Sequence, residues 1–228
     1  MASAKPVSTS MASMAPLPYP PPKNSFREHS VPAGIWYRVH NYDASTGLYG
    51  PTQFNDTKRG NARFSPLVDS TGKVIPTIYA AKTVRGAMAE ILLHDVPTPS
   101  TNYQHDWERD KSGNHHLSRI SLTDLSLVNL TTLGLRAAGL TVAEIFGTEK
   151  PDYPRTREWA LHIWKTMPKA QGLHWMSVRD NTCEVVILFG DRLKSNNIQD
   201  ERDSKHVIHY EAELMKLLDD LGASLAGA

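Results

Sequence analysis

The chain has one cysteine, Cys183, and it lies in the apolar segment Cys183 to Phe189. No intrachain disulfide can form, a reducing compartment is natural, and a thiol in such a run reads as structural rather than nucleophilic. An excess of charge is missing too. The 25 Lys and Arg against 24 Asp and Glu leave a formal net charge of +1, which gives no broad electrostatic argument for direct contact with nucleic acid or an anionic membrane. No apolar run approaches the roughly 20 residues of a membrane helix, and no basic start leads into a secretory apolar stretch. A soluble, cytoplasmic protein is expected. There is no GxGxxG loop, no HExxH spacing and no internal repeat. His94, His105, His115 and His116 gather around a polar loop at 95–116, and His206 and His209 fall on an expected C-terminal helix, but without compact ligand spacing, so no metal is expected.

What is present is ordinary globular composition: 228 residues, 40% hydrophobic and 21% charged, enough for one domain with a real core. Residues 1–33 stand apart. They are built from Met, Ala, Ser and Pro and hold seven of the 15 prolines; such a stretch buries too little apolar surface to offset its ordering entropy and is expected to be a disordered or polyproline-like tail. Residues 34–228 are the expected folded domain.

That domain opens on an alternating strand, Gly34 to Val39, followed by a long polar loop from Asn41 to Arg59 suited to rim a site. The apolar, β-branched run Val74 to Ala81 reads as a strand, and Pro76 within it points to an edge or a strand start. From Val84 the period changes to i, i+3, i+4, i+7, with Thr83 as N-cap, which predicts an amphipathic helix of about three turns. Further strands are expected at 117–122, 125–131, 173–178 and 185–189. Thr141 to Glu144 is a capping-box pattern, 155–167 a helix with Trp159 and Trp164 turned inward, and the segment through Leu221 an amphipathic helix. Strands and helices mix without regular βαβ alternation, which favours an α+β domain over a doubly wound one.

Three side chains stand out in the stretch Gly60 to His94: Arg63 before an aromatic, Tyr79 in the strand and Glu90 on the helix. Glu90 falls at the flank of the apolar stripe beside Gly86 and Ala87, which leaves room over the carboxylate for a ligand. Helix geometry alone also permits a solvated glutamate there. Arg38 lies between apolar neighbours and requires either an anionic ligand or an internal acid.

The order Arg63-Phe64, Tyr79 in TIYAA and Glu90 eleven residues further on resembles the RES domain family, as do the early pair Tyr37-Arg38 and the late Ser177 and Arg179 in SVRD. The resemblance spans residues 34 to about 195. Ser65 stands where the family usually has Asn, Trp175 replaces a tyrosine, and the connection from Arg63 to Tyr79 is longer than usual.

The resemblance implies a fold like the ADP-ribosyltransferases of the diphtheria-toxin type, with two small packed sheets, flanking helices and a cleft between the sheets. It implies NAD as substrate, with Glu90, Tyr79 and Arg63 as the catalytic group. Glu90 would steady the ribose cation, Tyr79 stack on nicotinamide, Arg63 and Arg38 hold the pyrophosphate, and Ser177 with Arg179 contact the nicotinamide end. The expected activity is that of a toxin-like enzyme that cleaves the nicotinamide–ribose bond and depletes NAD. A protein ADP-ribosyltransferase and a non-catalytic nucleotide-binding module are the alternatives. An Xre-type helix-turn-helix antitoxin is the implied partner, carrying any DNA contact itself, within a homodimer or a larger toxin–antitoxin assembly.

Overall fold

The computed structural model describes residues 26–226 apart from 44, 48, 95, 97–101 and 149. Most of the expected tail, residues 1–25, and most of the start of the 95–116 loop therefore lie outside the described residues. The first element is β1 (Glu28–Val31), inside the stretch that composition assigns to the tail, and it pairs antiparallel with a later strand. Then come β2 (Gly34–Asn41), β3 (Leu67–Val68), β4 (Val74–Ile75), β5 (Thr77–Ala81) and helix α1 (Val84–Ile91). The middle of the chain forms β6 (Gln104–His105), α2 (Trp107–Ser112), β7 (His115–Leu122), β8 (Leu125–Asn129), α3 (Thr132–Ala137), α4 (Val142–Phe146) and α5 (Tyr153–Thr166). It closes with β9 (Gly172–Met176), β10 (Glu184–Phe189), β11 (Ile198–His206), α6 (Glu211–Leu221) and β12 (Ser224–Leu225).

Eight strands form one mixed sheet in the order β1-β8-β9-β10-β5-β2-β7-β11, with β8 and β9 parallel and the other pairs antiparallel. This α+β architecture corrects the expectation of two small packed sheets: the two remaining sheets have two strands each. The reason is in the central strands. TIYAA and EVVILF are apolar on both faces, so β5 and β10 pair in the middle of one sheet that is covered on both sides. Along them Tyr79, Ala81, Val185 and Ile187 pack on one face with α1, α5 and α6, while Ile78, Ala80, Val186 and Leu188 pack on the other. That second cluster includes Val31 of β1 and Ile198 of β11, the two edge strands, so the sheet curls to bring its edges into a shared core.

Local expectations are met in some places and displaced in others. The capping box at Thr141 and Glu144 is formed, and Trp159 is buried against Phe26, ring centroids 6.0 Å apart. Pro76 splits the run Val74 to Ala81: β4 pairs with β3, and β5 begins after the proline as a central strand, not an edge. The helix α1 has eight residues, shorter than three turns, with the Thr83 hydroxyl accepting from the Gly86 amide. His206 ends β11 and is not on the C-terminal helix. The strand β11, IQDERDSKH, has no apolar alternation because it is an exposed edge.

Gly86 is packed, not open. A Cβ there would lie 2.0 Å from Cys183 Sγ, so its missing side chain serves the close approach of α1 to the turn that precedes β10 and does not make room for a ligand over Glu90. Cys183 is buried, and burial pushes its thiol pKa up.

Two outcomes follow from this packing. Gly86→Ala should lower stability by about 1–3 kcal/mol through overpacking, and Cys183→Ala should restore part of the loss in the double variant, read as thermal midpoints in a double-mutant cycle; simple additivity would disprove the contact. His174 is buried on β9 with neither ring nitrogen hydrogen-bonded, 4.8 Å from the His29 ring and with Nε2 3.7 Å from Glu184. Burial, then His29, pushes its pKa down to about 4. A lowered histidine pKa gives stability that is complete above the unfolded value of about 6.5 and is lost as pH falls towards 4. His174→Gln should therefore flatten the fall in thermal midpoint between pH 7 and pH 5, a span over which the wild type loses roughly 2 kcal/mol at this site.

Candidate functional site

The segment 60–66 has no regular structure, yet side chains from two other elements, β5 and α5, fix it. The Phe64 amide donates to the Tyr79 hydroxyl at 3.0 Å, and the Ser65 and Thr77 hydroxyls are 2.7 Å apart. From α5, the Thr156 hydroxyl donates to the Arg63 carbonyl, and Arg157 Nη1 donates to Asn61 Oδ1 at 2.8 Å and the Ala62 carbonyl at 3.2 Å. Ser65, standing where an asparagine is usual, thus keeps a buried hydrogen bond.

This scaffold brings Arg63, Tyr79, Glu90 and Arg179 to the wall of one cavity of about 250 Å³. Asn61, His94, Tyr153 and Trp175, which sequence reasoning does not assign to a site, also line it. The floor is aromatic. Trp175 meets Phe64 edge-on at 5.4 Å and Tyr79 at 6.0 Å, and stacks on Phe146 at 6.0 Å. Tyr153 stands at the helix start marked by Pro154 but carries no pattern of its own, so only the fold reveals it as a wall residue.

Glu90 is half-buried, and its Oε1 has no hydrogen-bond partner. Burial raises the carboxyl pKa, and the Ser177 hydroxyl, Arg63, the Val178 amide and Arg179 work against that rise. Burial also raises the Tyr79 phenol, which stays protonated at neutral pH. Arg63 is lowered by burial and supported by Tyr153, Glu90 and Tyr79. Its guanidinium lies 5.6 Å from the Phe146 ring and 5.0 Å from the Tyr153 ring.

Two expected site residues are placed differently. Tyr37 and Val39 of β2 pack with the helix-covered core and Trp36 with the other, so strand alternation turns Arg38 to Trp36's side. There its Nη1 donates to the Pro51 and Gln53 carbonyls, 3.1 Å each, and burial lowers its pKa to about 10. Arg38 borders only a small hollow of about 10 Å³ shared with Tyr37, Tyr79 and Glu90, where β2 and β5 pair at a single position. The loop from Asn41 to Arg59 thus takes the Nη1 end of the guanidinium, while the buried Nε has no hydrogen-bond partner among the described residues. Ser177 is buried, with its hydroxyl accepting the Arg179 and Asp180 amides at 3.2 Å, a turn motif that sets it behind Glu90 and out of the cavity wall. Arg179 does reach the wall, with Nη2 donating to the His94 carbonyl at 2.8 Å.

Among the described residues no group of three or more His, Cys, Asp or Glu is arranged to hold a metal ion. His105 pairs with Asp110 at 2.8 Å instead. No helix among them is long and apolar enough to cross a membrane.

No curated protein matches the chain. Among solved structures, a chain of the M. tuberculosis MbcT-MbcA toxin-antitoxin complex is similar, with 19% identity and a TM-score of 0.57 over 80% of this chain and 90% of that one. This likeness agrees with the curled sheet and its flanking helices. The RES domain matches residues 35–209, which contain β2 from its second residue through β11 and every wall residue named above. The chain belongs to the RES domain family.

Proposed function

We propose that this RES domain is a toxin-like enzyme that takes NAD as substrate and cleaves the bond between nicotinamide and ribose. The observation that carries the reading is the convergence of Arg63, Tyr79, Glu90 and Arg179 on one cavity. At about 250 Å³ it is small beside the roughly 300–1,000 Å³ of pockets that enclose a whole drug-sized ligand. It suits the nicotinamide–ribose end, with the ADP half running over the rim.

Breaking that bond builds positive charge on the ribose while a neutral pyridine leaves. The carboxylate of Glu90, with Oε1 unpartnered, accepts from the ribose hydroxyls and stabilises the developing cation. Tyr79, its hydroxyl tied to Phe64, offers a fixed ring face to nicotinamide. Arg63 and Arg179 hold the phosphate side through charge-assisted hydrogen bonds. Ser177 acts on Glu90 rather than on substrate, and Arg38 supports the loop after β2. Water is the acceptor in this reading, which makes NAD depletion the outcome. An Xre-type helix-turn-helix antitoxin is the proposed partner, consistent with a structural neighbour that belongs to a toxin–antitoxin complex.

Incubating the purified chain with NAD and following free nicotinamide tests the reading directly; no release, with NAD intact, would end it. Glu90→Gln should bind ADP-ribose as the wild type does and lose turnover by roughly 10²–10³-fold. Equal NAD loss in both would remove Glu90 from the mechanism. Because burial raises the Glu90 pKa and the ionised form is the working one, the acid limb of the activity profile should lie above the ordinary value of 4.5. Arg63→Ala should weaken ADP-ribose binding by roughly 10- to 100-fold, and unchanged affinity by calorimetry would argue against its phosphate role.

A further inference from the structure

A guanidinium inside an aromatic-lined cavity can rotate about its last bond and point its donors in several directions unless something holds it. In this chain the corner between α4 and α5 does so. Arg63 Nη1 donates to the carbonyls of Ile145 and Thr148, 3.1 Å each, and to the Thr148 hydroxyl. The Ile145 carbonyl is one of those left without an intrahelical partner where a helix ends. The Thr148 hydroxyl also donates to that carbonyl at 3.0 Å, which fixes its rotor and aims its lone pairs at Arg63. The Phe146 and Tyr153 rings lie against the guanidinium at 5.6 and 5.0 Å and limit its tilt. Thr156, one turn into α5, anchors the backbone carbonyl of the same arginine. Among the described residues, every hydrogen bond of the Arg63 side chain runs through Nη1.

We propose that the α4–α5 corner is a clamp for Arg63, with Thr148 as its positioning residue, and that it presets the Nε–Nη2 edge of the guanidinium for an oxyanion of the substrate. One nitrogen is consumed by the protein so that the other two, which lie on one side of the planar fork, are offered as a pair. An arginine held in this way meets a phosphate without first losing rotamer freedom, so the effect of the clamp is on binding and not on the chemical step. The inference deepens the NAD reading and rests on it for the identity of the oxyanion; the clamp itself rests on the hydrogen bonds alone.

Two measurements separate these. The first is nitrogen-detected NMR of the Arg63 guanidinium, which reads rotation about the Nε–Cζ bond without any ligand. Wild type and Thr148→Ser should show two resolved Nη signals for Arg63, and Thr148→Val one averaged signal; equally resolved signals in Thr148→Val would overturn the clamp. The second is the split between KM and kcat for NAD. Thr148→Val should raise KM, and the dissociation constant for ADP-ribose, by about 5- to 10-fold, with kcat within about twofold, and Thr148→Ser should recover most of the affinity. A fall in kcat at unchanged KM, or a serine variant as impaired as valine, would also overturn it. If Thr148→Val fails to fold, Phe146→Leu removes one ring from the guanidinium instead: averaged Nη signals and a raised KM are again expected, and resolved signals or a fall in kcat alone would again overturn the clamp. Signals that respond to Thr148 in a chain that consumes no NAD and binds no ADP-ribose would support the clamp and overturn the NAD reading.

Discussion

Glu90 Oε1 is a buried carboxylate oxygen without a hydrogen-bond partner, and much of the surrounding structure is arranged so that it stays that way. An unsatisfied buried acceptor costs on the order of 1–3 kcal/mol. The nearest remedy, a direct ion pair with an arginine, would remove the cost and close the site. Instead the two arginines of the cavity donate to backbone carbonyls, Arg63 to Ile145 and Thr148, Arg179 to His94. They act on Glu90 through space, opposing the effect of burial on its pKa without occupying its lone pairs. The result is a carboxyl group that is poorly solvated and has one oxygen open to a hydroxyl-bearing ligand.

Strand alternation decides who belongs to this arrangement. In β2 the side chains that share a face with Tyr79 include Tyr37 and Val39, and Arg38 projects to the opposite core, where the loop after β2 wraps it. His40, two residues on and on the same face as Arg38, hydrogen-bonds the Tyr49 carbonyl of that loop at 2.6 Å and the Ser118 hydroxyl of β7 at 2.6 Å. The polar residues of β2 thus hold the loop against one face of the sheet while its aromatic neighbour closes the other. A charged residue next to an aromatic one in a strand carries this division in its spacing of one residue.

Much of the site is legible in the sequence for a local reason. Tyr79 lies on a strand of period two and Glu90 on a helix of period 3.6 that begins at a threonine cap, and short-range patterns of this kind survive folding. Arg63 is legible only by its order relative to those two. Tyr153, Trp175, Asn61 and Thr148 are not, because their roles come from partners distant in the chain: Arg63 and Thr148 are separated by 85 positions and Arg157 and Asn61 by 96. The single sheet escapes the sequence because apolar runs such as VIPTIYAA and EVVILF state that both faces are covered but not which strands adjoin. β11 is invisible there because an edge strand with one buried residue has no apolar period to detect. Gly86 is legible as a gap beside Glu90, but its use differs: the gap is filled by Cys183.

That filling links the stability of the fold to the geometry of the site. The helix α1 is joined to the turn at 177–183 at several points: Thr83 Oγ1 lies 3.2 Å from Cys183 Sγ, Gly86 packs on the same cysteine, and Arg85 pairs with Asp180 at 3.0 Å. Within the turn, the Ser177 amide donates to the Cys183 carbonyl at 2.8 Å, and the Ser177 hydroxyl is the largest influence holding down the Glu90 pKa against burial. Glu90 and the groups that set its charge are therefore parts of one packed unit, joined by contacts that form when the chain folds. For the cleavage proposed above, reorganisation that water would have to undergo around a developing ribose cation would be completed before any ligand arrives, which is how fixed dipoles and charges in a poorly solvated cavity exceed what the same groups achieve in solution.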